Sequence, residues 1–101
     1  MAYSLRLISK VELDVAAAIE WYFAIDKKLA LDFFEELNAG LKLLQTYPVA
    51  FPTVHLDLRI FVLKRFPYKV VYLVNIDDTE IVIQSVTHDK RNPARWQDLA
   101  K

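Results

Sequence analysis

The sequence predicts a single α+β domain in which a helix hairpin packs on one face of a small, mostly antiparallel sheet. Three observations support this fold class. Apolar residues recur at helical spacing in the first half of the chain, they alternate with period two from residue 56 onward, and prolines separate the two halves. The predicted order is β-α-α-β-β-β, with the first strand at a sheet edge. With 101 residues the chain can build one core, so residues 1–101 are expected to form one domain.

A short strand over residues 3–8 and a helix starting at Ser9 are the first predicted elements. The strand segment alternates apolar residues with Ser4 and Arg6. Ser9 and Glu12 have the spacing of a capping box, in which the serine hydroxyl accepts the N3 amide and the carboxylate reaches back to the cap amide. The apolar stripe of this helix consists of Val11, Val15, Ala18, Ile19, Tyr22 and Ile25.

A second helix is predicted to follow at once, because Asp26 can cap a run that begins near Lys27. Pro48 and Pro52 end it, since neither fits inside a helix without loss of a hydrogen bond. The stripe of this second helix consists of Ala30, Phe33, Leu37, Leu41 and Leu44.

Three antiparallel strands are predicted for the second half of the chain. Residues 58–64, 68–76 and 80–87 are rich in β-branched and aromatic side chains, and residues 77–79 form the turn between the last two strands. Alternation places Arg59 and Arg65 on one face of the first of these strands and Lys64 on the other. One face must meet the helices, and the other is expected to bring polar groups together.

Composition and charge exclude several classes of protein. The chain is 54% hydrophobic and 26% charged, which excludes intrinsic disorder, and it has no cysteine for disulfides, thiolate metal sites or thiol nucleophiles. Thirteen basic residues balance thirteen acidic ones, which counts against a dedicated binder of long nucleic acids. No apolar run approaches the roughly 18 residues of a membrane span, and the first ten residues lack a signal peptide pattern. We therefore expect a cytoplasmic protein with no membrane partner.

Cofactor and metal sites are not predicted. The single glycine, Gly40, falls inside a predicted helix, so no glycine-rich loop is available to bind a phosphate. His55 and Asp57 could supply two metal ligands, but no third ligand lies close in sequence.

A series of short motifs runs along nearly the whole chain from Tyr3 to Trp96. The motifs are Asp14 followed by Trp21-Tyr22, Tyr47-Pro48, a lone Arg59, Pro67-Tyr68 before Tyr72, and the closing His88-x-x-Arg91-x-Pro93-x-x-Trp96. In order and spacing they resemble the RelE/ParE superfamily of bacterial toxins. This resemblance implies the toxin of a type II toxin-antitoxin module, bound by an antitoxin in a hetero-oligomer. RelE-like members cleave mRNA on the ribosome, whereas ParE-like members inhibit DNA gyrase, and the fold does not separate these two activities.

The nuclease alternative depends on His88. Cleavage of RNA through its 2′-hydroxyl needs a base, an acid and a cation at the phosphate, and His88 has a suitable reference pKa of about 6.5. Lys64 or Tyr68 would need a shifted pKa to serve as the second proton-transfer group. The expected phosphate stabilisers are Arg59, Arg65 or Arg91. His88, Arg91 and Lys64 or Arg65 are expected to converge on the sheet face away from the helices. The dense cationic cluster of RelE-like nucleases is absent from this sequence.

Ordinary structural roles explain several of these residues as well. Arg59 fits an edge residue with a solvated head, and His88 fits a strand-end histidine bonded to Asp89 or to a backbone carbonyl. Tyr68 and Tyr72 point the same way from one strand, which favours packing beneath the helices.

The leading hypothesis is a ParE-like inhibitor that binds its target and carries out no chemistry. In ParE-like toxins the C-terminal region contributes to target recognition, which implies target binding by Lys64, Arg91, Arg95 and Trp96. Trp21, Phe23 and Phe34 are expected to bind the antitoxin, because the helices carry more apolar residues than one buried face needs. The alternatives are a RelE-like mRNA endoribonuclease and a degenerate, non-toxic member that only binds the antitoxin.

Overall fold

A computed structural model describes residues 3–88 of the chain. Its element order confirms the predicted α+β class and adds one strand that the sequence reading missed. The elements are β1 (Ser4–Leu7), α1 (Ser9–Ile25), α2 (Lys27–Thr46), β2 (Thr53–His55), β3 (Leu58–Val62), β4 (Tyr68–Asn75) and β5 (Glu80–His88). The added strand, β2, has only three residues, which is too short for alternation to reveal it.

The five strands form one mixed sheet in the order β1-β5-β4-β3-β2. β1 lies at one edge, as predicted, and runs parallel to β5, while the other neighbouring pairs are antiparallel. Tyr72 pairs with both Arg59 and Ile83, and Tyr68 pairs with His88. Gln84 is an extra residue in β5, because Val71 pairs with Ser85 and the next residue of β4 with Ile83.

The predicted capping box at the start of α1 is wrong. Ile8 occupies the N-cap position in an extended conformation, and no side chain makes a cap hydrogen bond. The backbone carbonyl of Ile8 accepts from the N–H groups of Val11 and Glu12. Ser9 is therefore already the first helical residue, one position too late for its hydroxyl to cap the helix.

The junction between the helices agrees with the prediction. The Asp26 carboxylate accepts a hydrogen bond of 2.9 Å from the N–H of Lys28, and the backbone N–H of Asp26 closes α1 on the carbonyl of Tyr22. One residue thus ends the first helix and caps the second. α2 ends at Thr46, two residues before Pro48, as predicted.

The core lies between the helix hairpin and the sheet, and its centre is aromatic. Phe33 is fully buried, and its ring packs against the rings of Tyr22, Phe66 and Tyr68 at centroid distances of 5.1 to 5.4 Å. We call these four residues the aromatic cluster. Their tilted and edge-on arrangement is the favourable geometry for aromatic pairs.

Gly40 lets β3 approach α2 closely. The Phe61 ring lies against the α2 backbone at this position, and a Cβ on Gly40 would overlap it. Phe61 also packs edge-on against Phe51, at 5.1 Å between ring centroids. The single glycine of the chain therefore serves helix–sheet packing.

Neither helix of the described part of the chain has the length and the apolar character needed to cross a membrane.

Candidate functional site

Arg59 holds the segment that connects α2 to β2. Its Nη1 donates to the carbonyl of Phe51 at 2.6 Å and to the carbonyl of Val49 at 3.3 Å. The residue is half-buried on the helix-facing side of β3, opposite Tyr72. The guanidinium is thus bound to backbone carbonyls of its own fold, which differs from the solvated head that the sequence suggested.

Tyr72 holds the same segment from β4. Its side chain is fully buried, which confirms packing beneath the helices, and its hydroxyl donates to the carbonyl of Pro48 at 3.1 Å. Burial raises the pKa of Tyr72 to about 12, although the positive charge of Arg59 acts in the opposite direction. At neutral pH the hydroxyl therefore keeps its proton and remains a hydrogen-bond donor.

The sheet register separates Arg59 from His88. Arg59 pairs with Tyr72 and His88 pairs with Tyr68, four residues away along β4. Four strand residues span about 13 Å. The two groups that the nuclease alternative places on one phosphate thus lie on the two strands that flank β4, about four residues apart along it.

The expected convergence of polar groups on the sheet face away from the helices is wrong for His88, and Arg59 does not lie on that face either. Arg59 pairs with Tyr72 of the core, and His88 packs beside Tyr68 of the aromatic cluster, so both face the helices. The opposite face is largely apolar where the central strands cross it. It carries Leu58, Ile60, Val71, Leu73 and Val82.

Lys64 and Arg65 follow β3 in a loop that two carboxylates of α2 hold in place. One oxygen of Glu36 accepts from the backbone N–H of Lys64 at 2.8 Å and of Arg65 at 3.1 Å. Asp32 forms an ion pair of 3.2 Å with the Arg65 guanidinium, whose side chain is 62% exposed. The sequence reading missed Glu36, because its partners lie 28 and 29 residues away in the chain.

A cleft of about 500 Å³ opens beside α1, where β4 begins and β5 ends. We call it the α1 cleft. The His88 ring stands edge-on to the Tyr68 ring, 5.5 Å between centroids, and both line the cleft. The described lining consists of Asp14, Ala17, Ala18, Trp21, Tyr68, Val86, Thr87 and His88. His88 thus shares a site with an exposed tryptophan and a carboxylate, and not with the predicted arginines at positions 59 and 65.

Trp21, Phe23 and Phe34 are exposed, by 66%, 59% and 47% of their surface. Tyr22, between the first two, packs inward in the aromatic cluster, as the sequence predicted. Residues two apart on a helix differ by about 200° in direction, so Trp21 and Phe23 lie on opposite flanks of α1. Trp21 borders the α1 cleft, whereas Phe23 does not. The predicted antitoxin-binding residues therefore belong to two surfaces.

We call Phe23, Leu31 and Phe34 the outer hairpin surface. Each has about half or more of its surface exposed, and all three lie on the helix hairpin outside the α1 cleft. Large apolar side chains that are exposed on one part of a protein indicate a surface that binds a partner.

Three of the predicted target-binding residues, Arg91, Arg95 and Trp96, lie outside residues 3–88. His55 is the last residue of β2 and Asp57 lies in the turn that follows it. Within the described residues, no three His, Asp or Glu side chains come together in the way that a metal ion needs.

No protein-family model matches the sequence, and a search of curated proteins finds no significant match. Solved structures do resemble this fold. A chain of the chromosomal ParDE toxin-antitoxin system from P. aeruginosa superposes with a TM-score of 0.73 and 22% identity, over 86% of this chain and 96% of that one.

Two further structures share the architecture. The isolated E. coli RelE toxin has a TM-score of 0.60 at 14% identity, covering 98% of this chain and 97% of that one. The RelBE2 toxin-antitoxin complex from Mycobacterium tuberculosis has a TM-score of 0.56 at 18% identity, covering 87% and 99%. The chain therefore has the RelE/ParE fold, and the resemblance found in its motifs is confirmed at the level of the fold.

Proposed function

We propose that this chain is the toxin of a type II toxin-antitoxin module, a ParE-like inhibitor that binds DNA gyrase and is neutralised by a cognate antitoxin. The observation that supports this most is the likeness in fold to the ParDE chain over most of both chains. The other two similar structures also come from toxin-antitoxin systems or their isolated toxin. Gyrase is an intracellular target, so the proposal includes a cytoplasmic location.

The outer hairpin surface supports an antitoxin partner. Phe23 and Phe34 are large aromatic side chains of the kind enriched at the centres of protein interfaces. An amphipathic antitoxin segment laid across the hairpin would cover them.

Action by binding, and not by catalysis, is supported by the positions of the charged groups. Arg59 is bound to backbone carbonyls, and Arg65 is paired with Asp32. His88 lies about four strand residues from the first of these, so Arg59 and His88 do not form one phosphate site.

A supercoiling assay with purified gyrase tests the proposed target. The purified chain should inhibit DNA supercoiling in a dose-dependent way, and addition of the antitoxin should restore it. Normal supercoiling at a large molar excess of a folded chain would contradict the gyrase target.

Antitoxin binding has its own test. Phe23→Glu combined with Phe34→Glu should weaken antitoxin binding at least a hundredfold, measured by calorimetry with the small protein encoded beside this chain. Leu13→Glu is the matched control, because Leu13 is 72% exposed on α1 and lies outside the outer hairpin surface. Equal losses in the two variants would contradict the proposed surface.

One observation favours the RelE-like alternative. His88 lies in a cleft beside Tyr68, where a proton-transfer group could meet a substrate. Under this alternative His88→Ala abolishes toxicity while antitoxin binding persists. Full toxicity of His88→Ala excludes it, and no growth defect from the wild-type chain alone would identify a non-toxic antitoxin-binding member.

A further inference from the structure

We propose that the α1 cleft binds the charged head of an arginine or lysine side chain presented by a protein partner. The proposal does not depend on the toxin function, because it concerns the chemistry of the cleft alone. It rests on the shape of the cleft, the exposed Trp21 ring and the half-buried carboxylate of Asp14.

The spacing along α1 gives the cleft its length. Asp14 and Trp21 are seven residues apart, which places them on one side of the helix about 10.5 Å apart. Between them lie Ala17 and Ala18, whose small side chains leave a trough. A long, unbranched side chain can lie in this trough with its stem over the alanines and its head at one end.

Aromatic side chains line the α1 cleft. The Trp21 side chain is 66% exposed, so its ring is open to a ligand. Tyr68 and His88 line the opposite side of the cleft with their rings edge-on to each other. A tryptophan face attracts guanidinium and ammonium groups, so the exposed Trp21 ring favours a cation over a neutral group.

The carboxylate of Asp14 also favours a cationic ligand. Asp14 is half-buried at the cleft and forms no ion pair within residues 3–88. None of the described residues that line the cleft is Lys or Arg. A half-buried carboxylate in a cleft whose described lining holds no Lys or Arg complements a basic side chain.

A tryptophan fluorescence titration tests the proposal. Trp96→Phe leaves Trp21 as the only tryptophan of the 101-residue sequence. The probes are the N-acetylated tripeptide amide Ala-Arg-Ala and its citrulline analogue, which has almost the same shape and no charge. The arginine peptide should give a saturable change in Trp21 emission, with the citrulline peptide at least tenfold weaker.

Two carboxylate variants sharpen the test. Asp14→Asn should weaken binding of the arginine peptide at least tenfold, whereas Glu20→Gln, an exposed carboxylate of α1 outside the cleft, should leave it unchanged. Equal binding of the two peptides, or an Asp14→Asn variant that binds normally, would overturn the proposal. So would binding that occurs only after the chain's own Arg91 and Arg95 are changed to glutamine, because the occupant would then be the C-terminal segment.

Discussion

The two ends of the helix-facing side of the sheet are built on different physical principles. At the end that carries Arg59 and Tyr72, which we call the polar end, these two side chains donate hydrogen bonds to three backbone carbonyls of the segment between α2 and β2. At the end that carries Tyr68 and His88, which we call the packed end, aromatic rings pack against one another and the α1 cleft is open.

This difference shows why residue type alone does not locate a functional site. From residue type alone, an arginine on a strand is a good candidate for phosphate binding. In the structure, however, the Arg59 guanidinium donates to backbone carbonyls of the segment between α2 and β2. At the packed end, Asp14 and the exposed Trp21 line an open cleft. We therefore place the capacity for recognition at the α1 cleft and on the outer hairpin surface.

The largest expected effect comes from the aromatic cluster. Phe33→Ala should lower the free energy of unfolding by about 3–5 kcal/mol, because it leaves a cavity among three other rings. Urea denaturation measures this loss. Its neighbour Phe34 is 47% exposed, and Phe34→Ala should cost about 1 kcal/mol or less. Similar losses in the two variants would show that the packed end does not depend on this cluster.

Loss of the Arg59 guanidinium should destabilise the polar end. Arg59→Met should lower the free energy of unfolding by about 2 kcal/mol, because two carbonyls lose a charged donor. Arg65→Met removes an exposed ion pair and the contact of the guanidinium with the Phe66 ring, and should cost about 1 kcal/mol or less. If toxicity per folded molecule is lost in Arg59→Met but the stability is unchanged, the arginine has a role in function and not in the fold.

The Tyr72 hydroxyl should make stability depend on pH in the alkaline range. Its pKa is about 12 in the folded chain and about 10 when unfolded, so the folded state holds the proton more tightly. The contribution of the Tyr72 hydroxyl to the free energy of unfolding has its full value below pH 10 and is lost as the pH rises toward 12.

Tyr72→Phe should therefore cost about 1 kcal/mol at pH 7 and should have a shallower fall in stability between pH 10 and 12. Burial also raises the pKa of Tyr22, so part of the slope should remain in the variant. Thermal unfolding over this pH range measures both effects, and parallel profiles for wild type and variant would contradict the assignment to Tyr72.

The smallest expected effect is at the β2–β3 turn. Leu56 is 70% exposed and has a φ of 50°, a left-handed conformation that leucine rarely adopts. Leu56→Asn should raise the free energy of unfolding by about 0.5 kcal/mol, because asparagine tolerates this conformation. A destabilised variant would indicate that the leucine side chain contributes packing that its exposure does not suggest.

Local features of the fold could be predicted from the sequence, and contacts between distant segments could not. Asp26 caps α2 through a residue two positions away, so its role was visible in the sequence. Ser9 and Glu12 showed an equally good local pattern, yet the helix begins at Ser9 itself, and the capping box is absent. The spacing of a motif does not fix where the helix starts.

The candidate site was harder to predict than the local features, because it depends on contacts between residues that are far apart in the sequence. The exposure of Trp21 followed from its place beside the inward Tyr22, and the packing of Tyr72 followed from strand alternation. The separation of Arg59 from His88 depends on strand register, which the sequence did not specify. Likewise, the trough between Asp14 and Trp21 becomes a cleft only when β5 lies beside α1.

The most direct test of a binding toxin is pulse-labelling of DNA and protein synthesis within minutes of inducing the chain without antitoxin. Wild-type and His88→Ala chains are compared at equal expression. Our account predicts that DNA synthesis falls before protein synthesis in both strains. A fall in protein synthesis first, abolished by His88→Ala, would contradict it and establish the ribosome-dependent nuclease.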